Sequence, residues 1–372
     1  MKRVLTIKAV VGLTVASDIY TEKGQLVIKK GTVLNREIIE KLKMYGVFDF
    51  YVEEDKAMAY TVDELERNIL DDDSDVGDDL NDSAYYRRIR ESKKFQHFEN
   101  MFNESLVEVQ SSINELVLKN NSINAQAMLD SVKEITNGFR PDISVFDMLH
   151  CIEGYDDLTY VHSINVALIS RMIAIWMKLN ENDVDTVTLG GLLHDVGKVM
   201  IPNEIITKPA RLTDMEYNII KTHPIHGYNI LKDQDIDERV KLCALQHHER
   251  CDGNGYPYQK TYDEIEPLAR IVAIADVYDA MTSNRVYRRG MCPYDVIAVF
   301  EDNMDMYDPV VLSKVLEKIA NTYINENVLL SDNTKGKIVM INPHKLSKPV
   351  VEVNSEYVDL SREKDKRIVA LC

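Results

Sequence analysis

Alternating apolar and polar positions dominate the first 55 residues of the chain. The segment 18–34, DIYTEKGQLVIKKGTVL, alternates on both sides of a short loop at 22–24 and so predicts a β-hairpin. NREIIEKLKMYG (35–46) then predicts a short helix, and FDFYVEE (48–54) predicts a strand. The pattern therefore predicts a small α+β module at residues 1–55, with the character of an adaptor or sensor.

From about residue 85 to about residue 327 the apolar positions recur at helical spacing. One seam of this kind has 4-3-4-3 spacing and consists of Phe102, Leu106, Val109, Ile113 and Leu116. It is too short to favour a coiled coil, so a helix packed on its own domain is the first interpretation. A homodimer through helix 102–116 is the second. Ser122 is the expected N-cap of the next helix.

Two further segments flank the helical region. The acidic run DDDSDVGDDLNDS (71–83) lacks the liganding pattern of an EF-hand and predicts a solvated linker over 56–84. After Thr334, the runs KGKIVMINP, PVVEVN and RIVAL predict short strands in a small C-terminal β appendage, 328–372. The sequence therefore predicts a mainly α protein, with a helical domain at 85–327 between two small β-containing segments.

The composition of the chain limits which cellular compartment and which classes of binding partner it is consistent with. Of its 372 residues 45% are apolar, and the sequence has no apolar run long enough to span a membrane. The five cysteines are scattered without CxxC spacing, which is typical of reduced thiols and predicts a cytoplasmic protein. A net charge of −17 opposes binding to a nucleic-acid polymer, but a local basic cluster can still attract a small anion.

Histidines and aspartates concentrate within the helical region. Taken alone, His162 is consistent with a core histidine, and the His194–Asp195 pair with a polar helix end. Asp276 lies in the apolar run RIVAIADVYDAMTS and needs a partner or a metal, because an unpaired buried carboxylate is costly. Together, imidazoles and carboxylates from several helices predict a site for divalent transition metals. More than four candidate ligands indicate more than one ion, since a tetrahedral zinc site is full with four.

Four ordered motifs carry a resemblance to one family. HDVGK (194–198), HPIHG (223–227), HHERCDGNGYP (247–257) and IADVYDAMTS (274–283) resemble the HD-GYP family of cyclic di-GMP phosphodiesterases. That family is a branch of the HD-domain metal-dependent phosphohydrolases. The resemblance extends over residues 120–327 and implies an all-helical HD-type phosphohydrolase domain there.

The resemblance implies a role for each matching residue. The implied metal ligands are His162, His194, Asp195, His223, His247, His248 and Asp276. The implied substrate contacts are Lys198, Gly255, Tyr256, Pro257, Arg285 and Arg288. Asp195 is expected to bridge two ions, Fe or Mn, and to take part in catalysis. Lys198 is expected to contact the phosphate and shield the leaving oxygen.

The glycines of DGNGYP indicate a tight loop independently of any family. Gly253 and Gly255 permit positive φ, and Pro257 stiffens the exit from the loop. Glu249 and Asp252 are expected to anchor this loop or to support histidines rather than to bind metal.

The expected number of ions rests on helical register. Some family members carry a glutamate four residues before the first histidine and bind a third metal, but here that position is Leu158. Only positions three or four residues before His162 share its face, and Asp157 is rotated from it by roughly 140°. Two ions per chain are therefore predicted.

The reaction implied is hydrolysis of cyclic di-GMP to pGpG, or onward to GMP, by a metal-bound hydroxide. The expected partner is thus a small cyclic dinucleotide. Two alternatives stay open: a receptor that binds a cyclic dinucleotide without turnover, and an HD hydrolase acting on another cyclic nucleotide such as cyclic GMP-AMP. Loss of metal ligands is typical of degenerate members, and all seven implied ligands are present here.

Overall fold

The computed structural model describes two compact units, residues 1–59 and residues 60–372. In the first unit it describes residues 2–5, 15–20, 26–32, 34, 38, 41–42, 45, 47 and 49–52. In the second it describes 83–119, 122–137, 144–152, 158–206, 208, 212–283, 290–363 and 365–372. Most of the predicted linker 56–84 lies outside these residues, so the predicted domain boundaries stay predictions.

The N-terminal unit contains two antiparallel strand pairs. Strand β1 (Lys2–Leu5) pairs with β4 (Asp49–Val52), and β2 (Ile19–Tyr20) pairs with β3 (Leu26–Ile28). The second pair confirms the predicted hairpin. Of the predicted helix 35–46, positions 38, 41 and 42 are helical, and most of its other positions lie outside the described residues. Val15, Ile19, Leu34 and Leu42 belong to a small apolar core of this unit.

The second unit is built mainly from helices. In chain order the described helices are α1 (Ala84–Arg90), α2 (Lys93–Lys119), α3 (Ala125–Ile135), α4 (Ser144–His150), α5 (Leu158–Trp176), α6 (Glu181–Leu193), α7 (Asn203–Ile206), α8 (Asp214–Ile220), α9 (His223–Leu231), α10 (Glu238–Gln246), α11 (Pro267–Thr282), α12 (Pro293–Asp302) and α13 (Pro309–Thr322). A 3₁₀ turn, Val196–Met200, follows α6. The prediction of a mainly α fold is confirmed.

Helices α5, α6, α10 and α11 form the centre of this unit. Helix α5 packs along α6, while α10 and α11 both pack against α6. Their buried faces are rich in Ile, Val, Leu and Ala, whose side chains pack together in one apolar core. Helix α9 packs on α10 and on the 3₁₀ turn. This arrangement brings the end of α6, the start of α9 and the end of α10 to one place.

The seam of helix α2 is covered within its own chain. Phe102, Val109, Ile113 and Leu116 are buried in the main core, so the first interpretation of the 4-3-4-3 pattern describes the structure. The prediction that Ser122 caps the next helix is wrong. The N-cap is Asn124, whose side-chain oxygen accepts a hydrogen bond from the backbone N–H of Ala127.

The C-terminal strands form a five-stranded antiparallel sheet in the order β8-β7-β6-β5-β9. The strands are β5 (Asn327–Leu330), β6 (Lys335–Met340), β7 (Val350–Val353), β8 (Glu356–Asp359) and β9 (Ile368–Leu371). The three predicted strands are present, and β5 and β8 were not predicted. Val328, Ile338 and Val351 are fully buried in the same core as the helices.

Candidate metal centre

The structure brings together all seven residues implied as metal ligands. His162 lies in α5, His194 and Asp195 follow α6, and His223 begins α9. His247 and His248 follow α10, and Asp276 lies in α11. Six of the seven residues are buried, and the side chain of His248 is about 11% exposed. Five separate elements thus converge on one polar cluster inside an apolar core.

Asp195 stands between two groups of possible ligands. Within each group the ligand atoms lie within 4.8 Å of one another; one group is Asp195, His223, His247 and His248, and the other is His162, His194 and Asp276. The Oδ1 atom of Asp195 lies 3.2 Å from Nε2 of His223. Its Oδ2 atom lies 3.3 Å from Nε2 of His194 and 3.6 Å from Nε2 of His162. One carboxylate therefore faces both groups, one oxygen to each.

Backbone carbonyls orient three of the histidine rings. In each ring Nδ1 is close to a carbonyl oxygen of the preceding turn: Gly191 for His194 (2.6 Å), Ile220 for His223 (2.8 Å) and Cys243 for His247 (3.1 Å). When Nδ1 donates this hydrogen bond, the Nε2 lone pair points into the cluster, which is the tautomer that a metal ligand requires.

His162 is oriented by a carboxylate that sequence reasoning missed. Its Nδ1 lies 2.6 Å from Oδ2 of the buried Asp279. The other oxygen of Asp279 accepts hydrogen bonds from Asn165 (2.8 Å) and Ser283 (2.7 Å). Asp279 is three residues after Asp276 in α11, so its helical spacing was the available signal.

Burial and charge set the protonation of the cluster. Burial, together with the neighbouring His223, lowers the pKa of His248 to about 3, and burial holds the pKa of His247 well below its usual range. Burial also lowers the pKa of His162, but hydrogen bonds to Asp276 and Asp279 outweigh it and raise that pKa to about 9. Burial would raise the pKa of Asp195, yet Lys198 and His194 hold it well below its usual range.

The donor set fits divalent transition-metal ions. Nε2 of His194 and Oδ1 of Asp195 are buried and have no hydrogen-bond partner among the described residues. Buried polar atoms normally have partners, so these two are the atoms that a bound ion would satisfy. Neutral imidazoles with carboxylates are typical ligands of such ions.

Lys198 lies at the edge of the cluster on the 3₁₀ turn. Its ammonium donates a hydrogen bond to Oδ2 of Asp195, and about 29% of its side chain is exposed. Gly197 allows this turn to lie against α9, because a Cβ there would come within 2.0 Å of the His223 carbonyl oxygen. The backbone contact thus fixes Lys198 beside the candidate metal ligands.

The GYP loop lies directly against His248. The Tyr256 ring stacks on the His248 ring with centroids 4.6 Å apart, and the Tyr256 N–H donates to the His248 carbonyl (3.1 Å). Gly253 has a φ of +78°, as predicted, but Gly255 is required for a different reason. A Cβ on Gly255 would lie 2.4 Å from the backbone nitrogen of Arg250.

Glu249 anchors this loop, as expected. Its buried carboxylate accepts hydrogen bonds from the backbone N–H groups of Tyr258 (2.7 Å) and Lys260 (2.9 Å). Asp252 accepts one from Asn254 N–H (3.0 Å). Neither residue belongs to the ligand groups found among the described residues. Arg285, Arg288 and Asp157 lie outside the described residues, so their predicted roles stay predictions.

Comparison with known proteins gives a consistent family. Residues 148–311 match the HD domain family. The chain is 34% identical over 199 residues to a cyclic di-GMP phosphodiesterase of Pseudomonas aeruginosa, covering 53% of this chain and 48% of that protein. It is 31% identical over 176 residues to the 3′3′-cGAMP-specific phosphodiesterase 3 of Vibrio cholerae, covering 46% of this chain and 38% of that protein. The chain thus spans about half the length or less of these relatives.

A solved structure shows the same fold. An HDG"Y"P protein from Bdellovibrio bacteriovorus superposes with a TM-score of 0.50 over 84% of this chain and 97% of that chain, at 17% identity. The buried His194–Asp195 pair and the Gly255–Pro257 loop lie on one cluster, so the segment 148–311, which matches the HD domain family, also carries motifs that resemble the HD-GYP branch.

Proposed function

We propose that this protein is a phosphodiesterase that hydrolyses cyclic di-GMP to the linear dinucleotide pGpG, with two divalent ions, Fe or Mn, held by the seven clustered residues. The observation that carries the proposal is the position of Asp195, whose two oxygens face two separate groups of ligands. A carboxylate placed in this way is typical of a two-metal site for phosphoester hydrolysis.

In this proposal, different residues of the site have different roles. Bound ions would supply hydroxide at neutral pH and neutralise charge on a phosphoryl oxygen. Asp195 and the carbonyl-oriented histidines hold their ligand atoms in place before substrate arrives. Lys198 is partly exposed beside Asp195 and is proposed to donate to the phosphate and to the departing 3′-oxygen. Water adds across one P–O bond, and its proton passes to that oxygen.

The proposed substrate contacts also include Gly255, Tyr256 and Pro257 of the GYP loop, and Arg285 and Arg288. Two of these, Gly255 and Tyr256, lie next to His248 by backbone and ring contacts. Arg285 and Arg288 are proposed on the family motif alone. Onward cleavage to GMP is included as a second step at the same site.

Cyclic GMP-AMP is the second candidate substrate. The observation that favours it is the similar identity to a relative named as a 3′3′-cGAMP-specific phosphodiesterase. A receptor without turnover is less consistent with the structure, since the full ligand set is present and clustered.

The test is incubation of the purified protein with cyclic di-GMP or 3′3′-cyclic GMP-AMP, under Mn²⁺ or anaerobic Fe²⁺, with products separated chromatographically. We expect pGpG to form from cyclic di-GMP. We expect two metals per chain by elemental analysis. Asp195→Ala should lose at least one metal equivalent and all turnover while its circular dichroism stays helical. Asp305→Ala, which changes an exposed aspartate of the same unit, is the matched control.

Either of two results would contradict the proposal. One is a fully metal-loaded wild-type protein that leaves both dinucleotides intact. The other is an Asp195→Ala variant that keeps both its metals and its activity.

Oligomeric state and location remain separate predictions. The apolar seam of α2 is buried within the chain, so a homodimer through helix 102–116 would have to use other residues of that helix, such as the exposed Val107. Sedimentation velocity tests this. No described helix combines the length and apolarity needed to cross a membrane.

A further inference from the structure

A pocket of about 350 Å³ lies beside the candidate metal centre, between the end of α8 and the GYP loop. Its lining includes Tyr217, Lys221, Asn254, Tyr256, Pro257 and Gln259. Two aromatic rings, two side-chain amides and one ammonium thus surround it. None of the described residues that line it is acidic, although the chain as a whole has a net charge of −17.

Lys221 is held between the two rings of this pocket. Its Nζ lies 5.2 Å from the centroid of the Tyr217 ring and 5.9 Å from that of the Tyr256 ring. Distances of this size allow a cation–π attraction, which limits where the ammonium can be. Lys221 follows α8 and is two residues before the candidate ligand His223.

Tyr256 joins the pocket to the metal centre. Its ring stacks on His248 and also lines the pocket, so a ligand in the pocket lies one aromatic ring away from a candidate metal ligand. A phosphodiester positioned at the metal centre would therefore have an attached nucleoside within reach of this pocket.

We propose that this pocket binds a guanine base of the cyclic dinucleotide and that Lys221 donates to its O6 and N7 atoms, which makes Lys221 a specificity-determining residue. This inference rests on the proposed function. Flat aromatic walls suit a base, and the amides of Asn254 and Gln259 can bond to its polar edge. Guanine presents two acceptors, O6 and N7, to a lysine, whereas adenine presents the N6 donor in place of O6.

The test compares Lys221→Met with the conservative Lys221→Arg. Lys232→Met is the matched control, since it removes the same charge from an exposed residue after α9 that does not line the pocket. For each metal-loaded protein, kcat and KM are measured with cyclic di-GMP, cyclic di-AMP and bis(p-nitrophenyl) phosphate. The last compound is a small diester without a base. Equilibrium dialysis with 5′-GMP and 5′-AMP adds a readout that does not depend on turnover.

We expect Lys221→Met to raise KM for cyclic di-GMP about tenfold, the loss of one good base contact, with kcat within about twofold. Its preference for guanine over adenine should fall by a similar factor, in turnover and in dialysis. Lys221→Arg should keep that preference. Hydrolysis of bis(p-nitrophenyl) phosphate and the behaviour of Lys232→Met should match the wild type.

Two outcomes overturn the inference: an unchanged KM and preference in Lys221→Met, or an equal loss for both dinucleotides, which would indicate a phosphate contact. A different result would contradict the proposed function itself. In that case the wild-type protein would cleave the small diester but neither dinucleotide.

Discussion

Asp279 is a buried carboxylate that orients the candidate metal ligand His162 without belonging to the candidate ligand groups itself. It accepts from His162 and is itself held by Asn165 and Ser283. Asp279→Ala removes the acceptor that fixes the His162 ring. We expect metal affinity to fall by about 10–100-fold, which is typical when a residue supporting a metal ligand is lost.

Competition titrations against a chelator of known affinity measure that loss. Ser283→Ala is the matched control, because it removes only one of the three contacts and leaves the His162 hydrogen bond intact. Equal affinity in Asp279→Ala and the wild type would show that His162 does not need this support.

The two ligand groups should differ in how acid affects them. The pKa of His162 is raised to about 9, so a proton occupies this histidine at neutral pH and must leave when a metal binds. Below about pH 9 each unit of acidification then favours the proton over the metal by about tenfold. In the other group, burial lowers the pKa of His223 and brings that of His248 to about 3, so protons compete much less.

We therefore expect one metal equivalent to be lost before the other as pH falls from about 8 to about 6. Elemental analysis after dialysis at each pH checks this. Simultaneous loss of both ions at every pH would contradict the expected asymmetry.

The sequence indicated the candidate ligands, which the structure brings together, but it did not indicate most of the groups that orient them. His194, His223 and Asp276 belong to short motifs whose spacing is visible in the chain. The carbonyls of Gly191 and Ile220 belong to the backbone, so no side-chain pattern indicates them. Asp279 carried a visible helical spacing, but its partner, Asn165, is on another helix.

At the scale of elements, the close contact between the 3₁₀ turn and α9 allows a stringent test of how these two elements pack. A Cβ at Gly197 would lie 2.0 Å from the His223 carbonyl oxygen and 2.4 Å from Gly227 N. Backbone atoms cannot rotate away, so Gly197→Ala must push the turn off α9 and move Lys198 and His223 apart. We expect a loss of about 1–3 kcal/mol in unfolding free energy and a lower metal content.

Gly227→Ala is the control on the other side of the same contact. A Cβ there would meet its nearest neighbour, Gly197 N, at 3.4 Å, which is an ordinary contact. Denaturant unfolding of both variants should show destabilisation by Gly197→Ala only. A Gly197→Ala variant as stable as the wild type would mean that the turn and α9 are not packed this closely.

Element boundaries were the part of the fold that sequence patterns resolved least. Ser122 and Asn124 are both good caps, and only the packing of α3 decides between them. Strand β5 follows α13 closely and reads NVLL, a short apolar run that spacing alone does not distinguish from the end of a helix. Strand β8, EYVD, is largely exposed and has few apolar positions to signal it.

At the scale of the whole molecule, the two ends of the chain should tolerate deletion differently. All seven candidate ligands lie in the unit 60–372, and the unit 1–59 has a small core of its own. Deleting residues 1–59 should therefore leave metal content and hydrolysis within about twofold of the full chain, since a unit with its own core folds alone.

Deleting residues 328–372 should instead unfold the helical unit. The shared core contains four fully buried side chains from this segment, those of Val328, Leu330, Ile338 and Val351. Burial of each contributes about 1.5–3 kcal/mol to the stability of the folded protein, and the deletion removes that contribution. Glu301 of α12 also accepts hydrogen bonds from Leu346 and Ser347. Thermal unfolding and solubility measure both deletions, and a soluble, cooperative protein without the sheet would contradict this expectation.

The shared carboxylate also has an evolutionary consequence. Because Asp195 faces both ligand groups, one nucleotide substitution in its codon, for instance to asparagine, would alter both candidate metal positions together. The pocket around Lys221 and Tyr256 is built from other residues and would be inherited unchanged. Under the proposed function, a single point mutation at Asp195 would thus leave a protein that still binds the cyclic dinucleotide but no longer hydrolyses it.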